Sequence, residues 1–533
     1  MSKPSTPPTS ATAISAGLFD HMQAIEHANA ALARPLPVKA HGWYPGYHLA
    51  PPSGWMNDPN GVIYFDGYYH VFYQHDPFGP TQGRMHWGHA RSLDLIHWEH
   101  LPVALAPGDS FDLDGCFSGC AVDDNGVLTL LYTGHVWLGA PGDERHIREV
   151  QCLATSQDGI HFTKYGVVLD TPPAPGVSHF RDPRVWREGD QWYMVVGFRT
   201  DDDTGAGIGK VALYRGDTLY DWTLLGTLDG ESAQEAPGKR AYMWECPDFF
   251  ALDDQQVLMY SPQGLKPQGF EYWNLFQNGC VIGCWMHERF TPESGFATLD
   301  HGHDFYAAQR LEAPDGRQLL IAWCDMWESK KPSQKDEWAG MMTLPRELFI
   351  ADGKVRMRPA RELETLRQPG ITHKLPSVIN SEHPLALPTL LQEVQLHLDL
   401  TGSTAAQFGL NLRCSEDGRE VTRLYVDAMA GRLVLDRNAA GAGPKGVRSI
   451  ALPPGDILHL RLYLDRSSLE VFVGDEHQSF RETLSSRIFP HSTSCGASLF
   501  AIEGEMRIVS LESWSLKETL GYPLSDQDAT TPA

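Results

Sequence analysis

The chain has 533 residues, 42% hydrophobic and 10% aromatic, and its 43 Lys+Arg stand against 67 Asp+Glu for a formal net charge of −24. This composition belongs to a folded protein of more than one domain and excludes disorder over most of the length. An acidic balance with no Lys/Arg stripe repels phosphate backbones and anionic lipid, so nucleic acid and membranes are set aside as partners; the expected partner is neutral or held by a few local cations.

At the amino terminus the first 17 residues read as a disordered tail, with no apolar run of the kind an export signal needs, so the cytoplasm is the expected location. No segment approaches the roughly 18 apolar residues of a membrane span. Leu18, Met22, Ile25, Ala28 and Leu32 recur at helical spacing, which predicts one short amphipathic helix within a leading segment 1–39. The nine cysteines include no C-x-x-C pair, and Cys116/Cys120 and Cys280/Cys284 lie four apart, so reduced thiols are expected.

Residues 40–357 change character, with short runs of Val, Ile, Tyr, Phe and Trp between Gly, Asp, Asn and Pro clusters. A strand, a polar turn and a second strand recur five times, in GVIYFDGYYHVFYQ, AVDDNGVLTLLYTG, VWREGDQWYMVVG, FALDDQQVLMYSP and RLEAPDGRQLLIAW. The second turn residues, Gly67, Gly126, Asp190, Asp254 and Gly316, are separated by 59, 64, 64 and 62 positions. Each period has room for four strands. One four-stranded unit cannot bury both faces, whereas radial repetition can, so the pattern predicts an all-β fold whose first part is a five-bladed β-propeller. Residues 358–392 read as a linker. Residues 393–521 carry further strands with little helix, which predicts a C-terminal β-sandwich, and 522–533 read as a mobile tail.

A polar residue precedes each hairpin: Asp58, Ser118, Asp182, Glu245 and Asp304. Equivalent positions of successive blades converge on one axis, so several carboxylates should meet there, at a cost in repulsion unless they have a chemical task. Singly, Asp58-Pro59 and Asp182-Pro183 are ordinary turn punctuation, as Asp76-Pro77 is taken to be. One acid per blade is too sparse for a hard cation, and the His301-Gly302-His303 run reads as structural, so no metal or other cofactor is expected. Glycoside hydrolysis needs two carboxyl groups flanking the bond, about 5 to 5.5 Å apart in retaining enzymes, and the aromatic neighbours Trp55, Phe117, Phe180 and Trp244 suit a sugar ligand.

WMNDPNG around Asp58, RDP at Arg181 to Pro183 and WECPD around Glu245 resemble the three acid-bearing signatures of glycoside hydrolase family 32, the β-fructofuranosidases, in that family's order. FSG at Phe117 to Gly119, WGH at Trp87 to His89 and LDRSSLEVFVGD in the second half are similar as well. The family is built as a five-bladed propeller followed by a sandwich. The resemblance implies Asp58 as nucleophile on the anomeric carbon of a fructosyl unit, Glu245 as general acid/base, and Asp182 as a transition-state stabiliser supported by Arg181. It also implies a fructose pocket lined by Asn57, Gln74, Trp87, Phe117, Ser118 and Trp323. One departure is Gln82, where members commonly carry tryptophan.

The implied activity is hydrolysis of sucrose, or of sucrose phosphorylated on its glucose; Arg84, Arg145, Arg148 and Lys239 are candidate phosphate cations only by lying in loops, where solvated surface charge is the ordinary role. A fructosyltransferase using the same acids and a non-catalytic carbohydrate-binding propeller are the competing readings. The sandwich domain offers no catalytic constellation; packing on the propeller and assembly of a homo-oligomer are its available roles.

Overall fold

Each repeated strand–turn–strand unit folds as an antiparallel hairpin. In the computed structural model, which describes residues 20–33, 42–201, 205–228, 241–374, 377–475, 477 and 479–519, the first hairpin pairs Gly54–Phe65 with Tyr68–Asp76. Its turn residues Asp66 and Gly67 both have positive φ, 46° and 85°, as a two-residue turn matched to strand twist requires. The leading strands of the other four hairpins are Gly115–Asp123, Phe180–Glu188, Met243–Leu252 and Tyr306–Glu312. Each hairpin gains two more antiparallel strands, giving five successive sheets in which the strands lie in chain order. The Ser-x-Asp motifs cap the turns between later strands: Asp94 accepts from the backbone N–H of Ile96 and His97, and Asp158 from Ile160 and His161.

Neighbouring sheets bury their apolar faces against each other in sequence. Phe72 and Trp87 pack with Leu130 and Tyr132, Leu131 with Val185 and Met194, Val195 with Phe249 and Leu258, and Val257 with Ala308 and Leu320. The fifth sheet returns to the first, where Leu311 and Leu319 meet Met56 and Val62. The leading strands follow the same cycle, each in contact with the next and the fifth with the first. A 22-residue excursion of the fifth unit, 324–345, also adds Trp338–Ala339 in parallel to Gly54 and Trp55 of the first leading strand.

The second half forms two large sheets whose inner faces share one core, including Leu396, Leu410, Leu424, Leu460, Leu484 and Leu499. Sheet pairing begins earlier than residue 393. Within the expected linker, Ile371–Thr372 and Val378–Ile379 pair with the final strand Glu505–Ser515, and Glu382–Pro384 pairs with Gly496–Ile502. The expected amino-terminal helix is observed as His21–Leu32, capped by the Asp20 side chain, and covers the outer edge of the first sheet through Asn29, which accepts from Val103 N–H. Leu18, the leading tail and the tail 522–533 lie outside the described residues.

The halves are joined by buried charge. His48 lies between Asp465 at 2.7 Å and Glu470 at 3.0 Å, both from the LDRSSLEVFVGD run, and Arg346 bridges Glu470 to Asp300. The HGH run docks along the strand Phe480–Arg487: His301 N–H donates to the Thr483 carbonyl, and His303 N–H to that of Ser485. Asp304 therefore turns to the second half, where it pairs with Arg437 and accepts from Arg487 N–H. No helix among the described residues is long and apolar enough to cross a membrane.

Candidate active site

All five leading strands break register near their start, and the first breaks again between Asn60 and Ile63. The extra residue falls at Asn57-Asp58, Ser118, Asp182-Pro183, Cys246-Pro247 and Ala307-Ala308. Asp182, Cys246 and Ala307 take positive φ of 68°, 47° and 52° to make the bend. A bulge re-aims a side chain that a regular strand would point into the sheet packing, which is how one polar group per unit comes to face a common space.

Three carboxylates meet there. Trp55 Nε1–H donates to Asn57 Oδ1 at 2.7 Å, which turns the Asn57 amide so that its Nδ2 donates to Asp58 Oδ1 at 3.1 Å. The other oxygen, Oδ2, accepts from Ser118 Oγ of the second sheet at 2.8 Å. Asp182 Oδ2 accepts from the Cys246 backbone N–H at 2.9 Å, while Thr133 Oγ1 holds the Asp182 backbone. The Cys246 thiol sits 3.8 Å from Asp58 Oδ2 and 3.7 Å from Asp182 Oδ2, so the residue after Glu245 touches both aspartates. Glu245 is held at both oxygens, by Arg181 Nη2 on Oε1 at 2.8 Å and by Tyr306 OH on Oε2 at 2.6 Å.

The electrostatics follow from this crowding. Burial, and then the neighbouring charge of Glu245, push the Asp58 carboxyl up to about 6 against the opposing hydrogen bonds from Asn57, Ser118 and Cys246. Burial and Glu245 raise Asp182 too, with Arg181 opposing. Glu149 goes the other way: burial would raise it, but the Arg181 charge and the His135 hydrogen bond prevail and hold it at about 2.

Asn57, Asp58, Gln74, Phe117, Ser118, Arg181, Asp182 and Glu245 all line one cavity of about 550 Å³. Gln82, the departure from the family pattern, is in its wall. Trp87 and Trp323 are not. Both are fully buried one layer behind the wall, Trp87 donating its Nε1–H to the Phe117 carbonyl and packing at a tilt against Phe72, Trp323 packed between Trp55 and Trp327. The aromatic wall is instead supplied by Trp137, Tyr242, Phe276 and Trp327. Among the loop cations considered for a phosphate, Arg84 donates to the Leu113 carbonyl, Arg145 pairs with Asp143 and Arg148 is exposed, all outside the lining, as solvated surface charges would be; Lys239 lies outside the described residues. A second cleft of about 580 Å³ beside His301 and Glu482 contains none of the three acids.

Tyr306 and Glu149 are two polar residues bonded within the acid cluster that sequence reasoning passed over. Asp58, Ser118, Asp182 and Glu245 lie eight or nine residues before the second turn residue of their hairpins. The same offset in the fifth unit lands on Ala307, beside Tyr306, and not on Asp304. Glu149 has only the weak signal of a charge in phase with the buried Ile147 and Gln151 on its strand.

The chain matches the glycosyl hydrolases family 32 N-terminal domain over residues 48–359 and the family's C-terminal domain over 362–515. It belongs to glycosyl hydrolase family 32. Among family members it is 57% identical to a protein of Zymomonas mobilis named sucrose-6-phosphate hydrolase, across 89% of this chain and 93% of that one. It is 47% identical to the raffinose invertase of Escherichia coli, across 93% and 99%. Its fold is similar to that of the family 32 β-fructofuranosidase of Bombyx mori, solved as a mutant in complex with sucrose, with a TM-score of 0.79 and 34% identity over 94% of this chain and 98% of that one.

Proposed function

We propose that this chain is a retaining β-fructofuranosidase whose substrate is sucrose. The observation that carries the reading is the meeting of Asp58, Asp182 and Glu245 from three sheets, with Asp58 held at both oxygens and Glu245 one residue from a thiol that touches it. In this reading ionised Asp58 attacks the anomeric carbon of the fructosyl unit as protonated Glu245 delivers its proton to the leaving glucosyl oxygen. A water then gives its proton to Glu245 and its oxygen to the anomeric carbon, releasing fructose and freeing Asp58. Asp182 accepts hydrogen bonds from fructose hydroxyls, which strengthen as positive charge develops on the ring. Family membership and the relatives' names support the activity.

We read the five sheets as five blades of a closed propeller comprising the catalytic domain, 40–357, and the two later sheets as a sandwich over 393–521 reached through 358–392. The cyclic contacts of the leading strands support closure. Neutral sucrose is favoured over its phosphate ester by the charge of the cavity. Asp58, Asp114, Glu144, Glu149, Asp182, Glu245 and Glu328 line it, and the one arginine among the described lining residues, Arg181, is already shared by Glu245 and Glu149. A dianionic phosphate would enter against that field.

The test is the ratio of kcat/KM on sucrose to that on sucrose 6-phosphate, with glucose and fructose assayed separately. A ratio above one and equal release of the two sugars are expected; glucose in excess would mark a transferase. Near wild-type turnover by folded Asp58→Asn or Glu245→Gln would overturn the catalytic assignment.

A further inference from the structure

We propose that Glu149 is a positioning residue for the reaction: it fixes the Arg181 guanidinium in the orientation that serves Glu245. The inference rests on the reading of Glu245 as acid/base and adds a residue that lies on neither of the acid-bearing hairpin starts nor in any of the three motifs.

Glu149 stands on the third strand of the second sheet, directly across from His135 in the register of the pair. Its carboxylate is buried and fully engaged. Oε2 accepts from the Phe180 backbone N–H at 2.7 Å and from Arg181 Nη1 at 3.3 Å, while Oε1 faces His135 Nδ1 at 3.3 Å. The His135 ring is itself fixed, stacked on Phe117 with centroids 4.1 Å apart and 6° between the planes. Arg181 thus has two carboxylates on different edges of its guanidinium. Nη1 goes to Glu149 and to His179 Nδ1 at 2.9 Å, and Nε and Nη2 both go to one oxygen of Glu245, at 3.0 and 2.8 Å. A planar five-donor fork is directional, so anchoring one edge sets where the other points.

A purely structural ion pair would not need to line the cavity or share its arginine with the acid. The groups facing this set come from every sheet around it: Asp58, His135, His179, Asp182, Tyr242, Cys246 and Tyr306. None of these is a carboxylate bonded to the Arg181 guanidinium on the side away from Glu245; Glu149 holds that edge. Without its negative charge, the Arg181 cation is shared by fewer anions, which favours the ionised form of Glu245.

The experiment compares wild type, Glu149→Gln and Glu149→Asp on sucrose and on a nitrophenyl β-D-fructofuranoside, whose leaving group departs without protonation. For Glu149→Gln, kcat/KM on sucrose is expected to fall about tenfold or more and its basic limb to move down by about one pH unit, with a much smaller loss on the aryl fructoside. Glu149→Asp keeps the charge and is expected to lie between. The ratio of the two substrates does not depend on the folded fraction, and if the Gln variant fails to fold the Asp variant carries the same ratio test. Equal losses on both substrates with an unmoved pH limb would assign Glu149 to packing and overturn the proposal. Glu245→Gln is measured beside them: retained sucrose turnover in that variant would sink the acid/base reading itself, which the Glu149 ratio alone does not test.

Discussion

Arg181 places two donors on a single oxygen of Glu245 and leaves the other oxygen to Tyr306. The two partners come from the third and fifth sheets, and Glu245 from the fourth, so the carboxyl is held across three units of the repeat. Asp58 is treated the same way, with Asn57 from its own strand and Ser118 from the next sheet. Rigid strands supply both ends of every bond, which keeps the carboxylates from relaxing apart despite their repulsion.

Tyr306 gives the first prediction. Its hydroxyl is buried and donates at 2.6 Å to Glu245 Oε2, a bond that is stronger to a carboxylate than to a carboxylic acid. Tyr306→Phe removes a stabiliser of the ionised form, so the basic limb of kcat/KM on sucrose is expected to move to higher pH, opposite in sign to Glu149→Gln. The loss at the optimum is expected to be about tenfold. A limb that stays in place would mean the hydroxyl does not act on the acid.

The acid limb is expected to belong to Asp58, the proposed nucleophile. With Asp58 pushed up to about 6 by burial and by Glu245, its attacking form is lost as pH falls through that value. Activity on sucrose should therefore fall below about pH 6, well above the range of an ordinary aspartate. Ser118→Ala removes an opposing hydrogen bond at 2.8 Å and is expected to carry the acid limb to higher pH. An acid limb near pH 4 in the wild type would contradict the burial argument.

The fold was legible where local chemistry repeats. Asp66-Gly67 and Asn125-Gly126 read as tight turns because few other pairs tolerate two positive φ values, and five polar turns at one spacing imply five similar units. The acids were legible because a polar residue at a fixed offset before each turn has no structural reason to recur. The fifth position misled: Asp304 looks like another converging acid, but its partners Arg437 and Arg487 come from the distant second half, which no local pattern reveals. Trp87 and Trp323 misled for a related reason. Trp87 stands on the third strand of the first sheet and Trp323 at the end of the second strand of the fifth, where a large aromatic can face the cavity or stand behind it without any sequence mark to tell which.

His301 ties stability to alkaline pH. Burial pulls its imidazole down, but ion pairs with Glu271 at 3.4 Å and Glu482 at 3.1 Å outweigh that and push it up to about 9. A raised value means the stabilisation is complete below the ordinary 6.5 and is lost as pH rises through about 9. Denaturant midpoints should therefore fall between pH 7 and pH 9.5 by more in the wild type than in His301→Gln. Parallel falls in both proteins would remove His301 from the account.

Asp58, the proposed nucleophile, should cost the fold stability, and the pH dependence identifies the cause. Asp58 has its carboxyl raised from 3.8 to about 6, so the folded state binds that proton more tightly than the unfolded chain does. The favourable contribution is present below 3.8 and disappears as pH rises through about 6, leaving a buried charge that works against folding at neutral pH. A shift of this size corresponds to about 3 kcal/mol as an upper figure, because the asparagine of Asp58→Asn cannot accept all the hydrogen bonds that Asn57 and Ser118 now donate. Asp58→Asn is therefore expected to be inactive on sucrose yet more stable by about 1 to 3 kcal/mol at pH 7.5, with the gain shrinking to about a third of that near pH 4.5. Urea unfolding of both proteins at the two pH values checks it. A gain of equal size at both would trace to packing rather than to charge, and no gain at pH 7.5 would mean that the hydrogen bonds around Asp58 fully offset its burial.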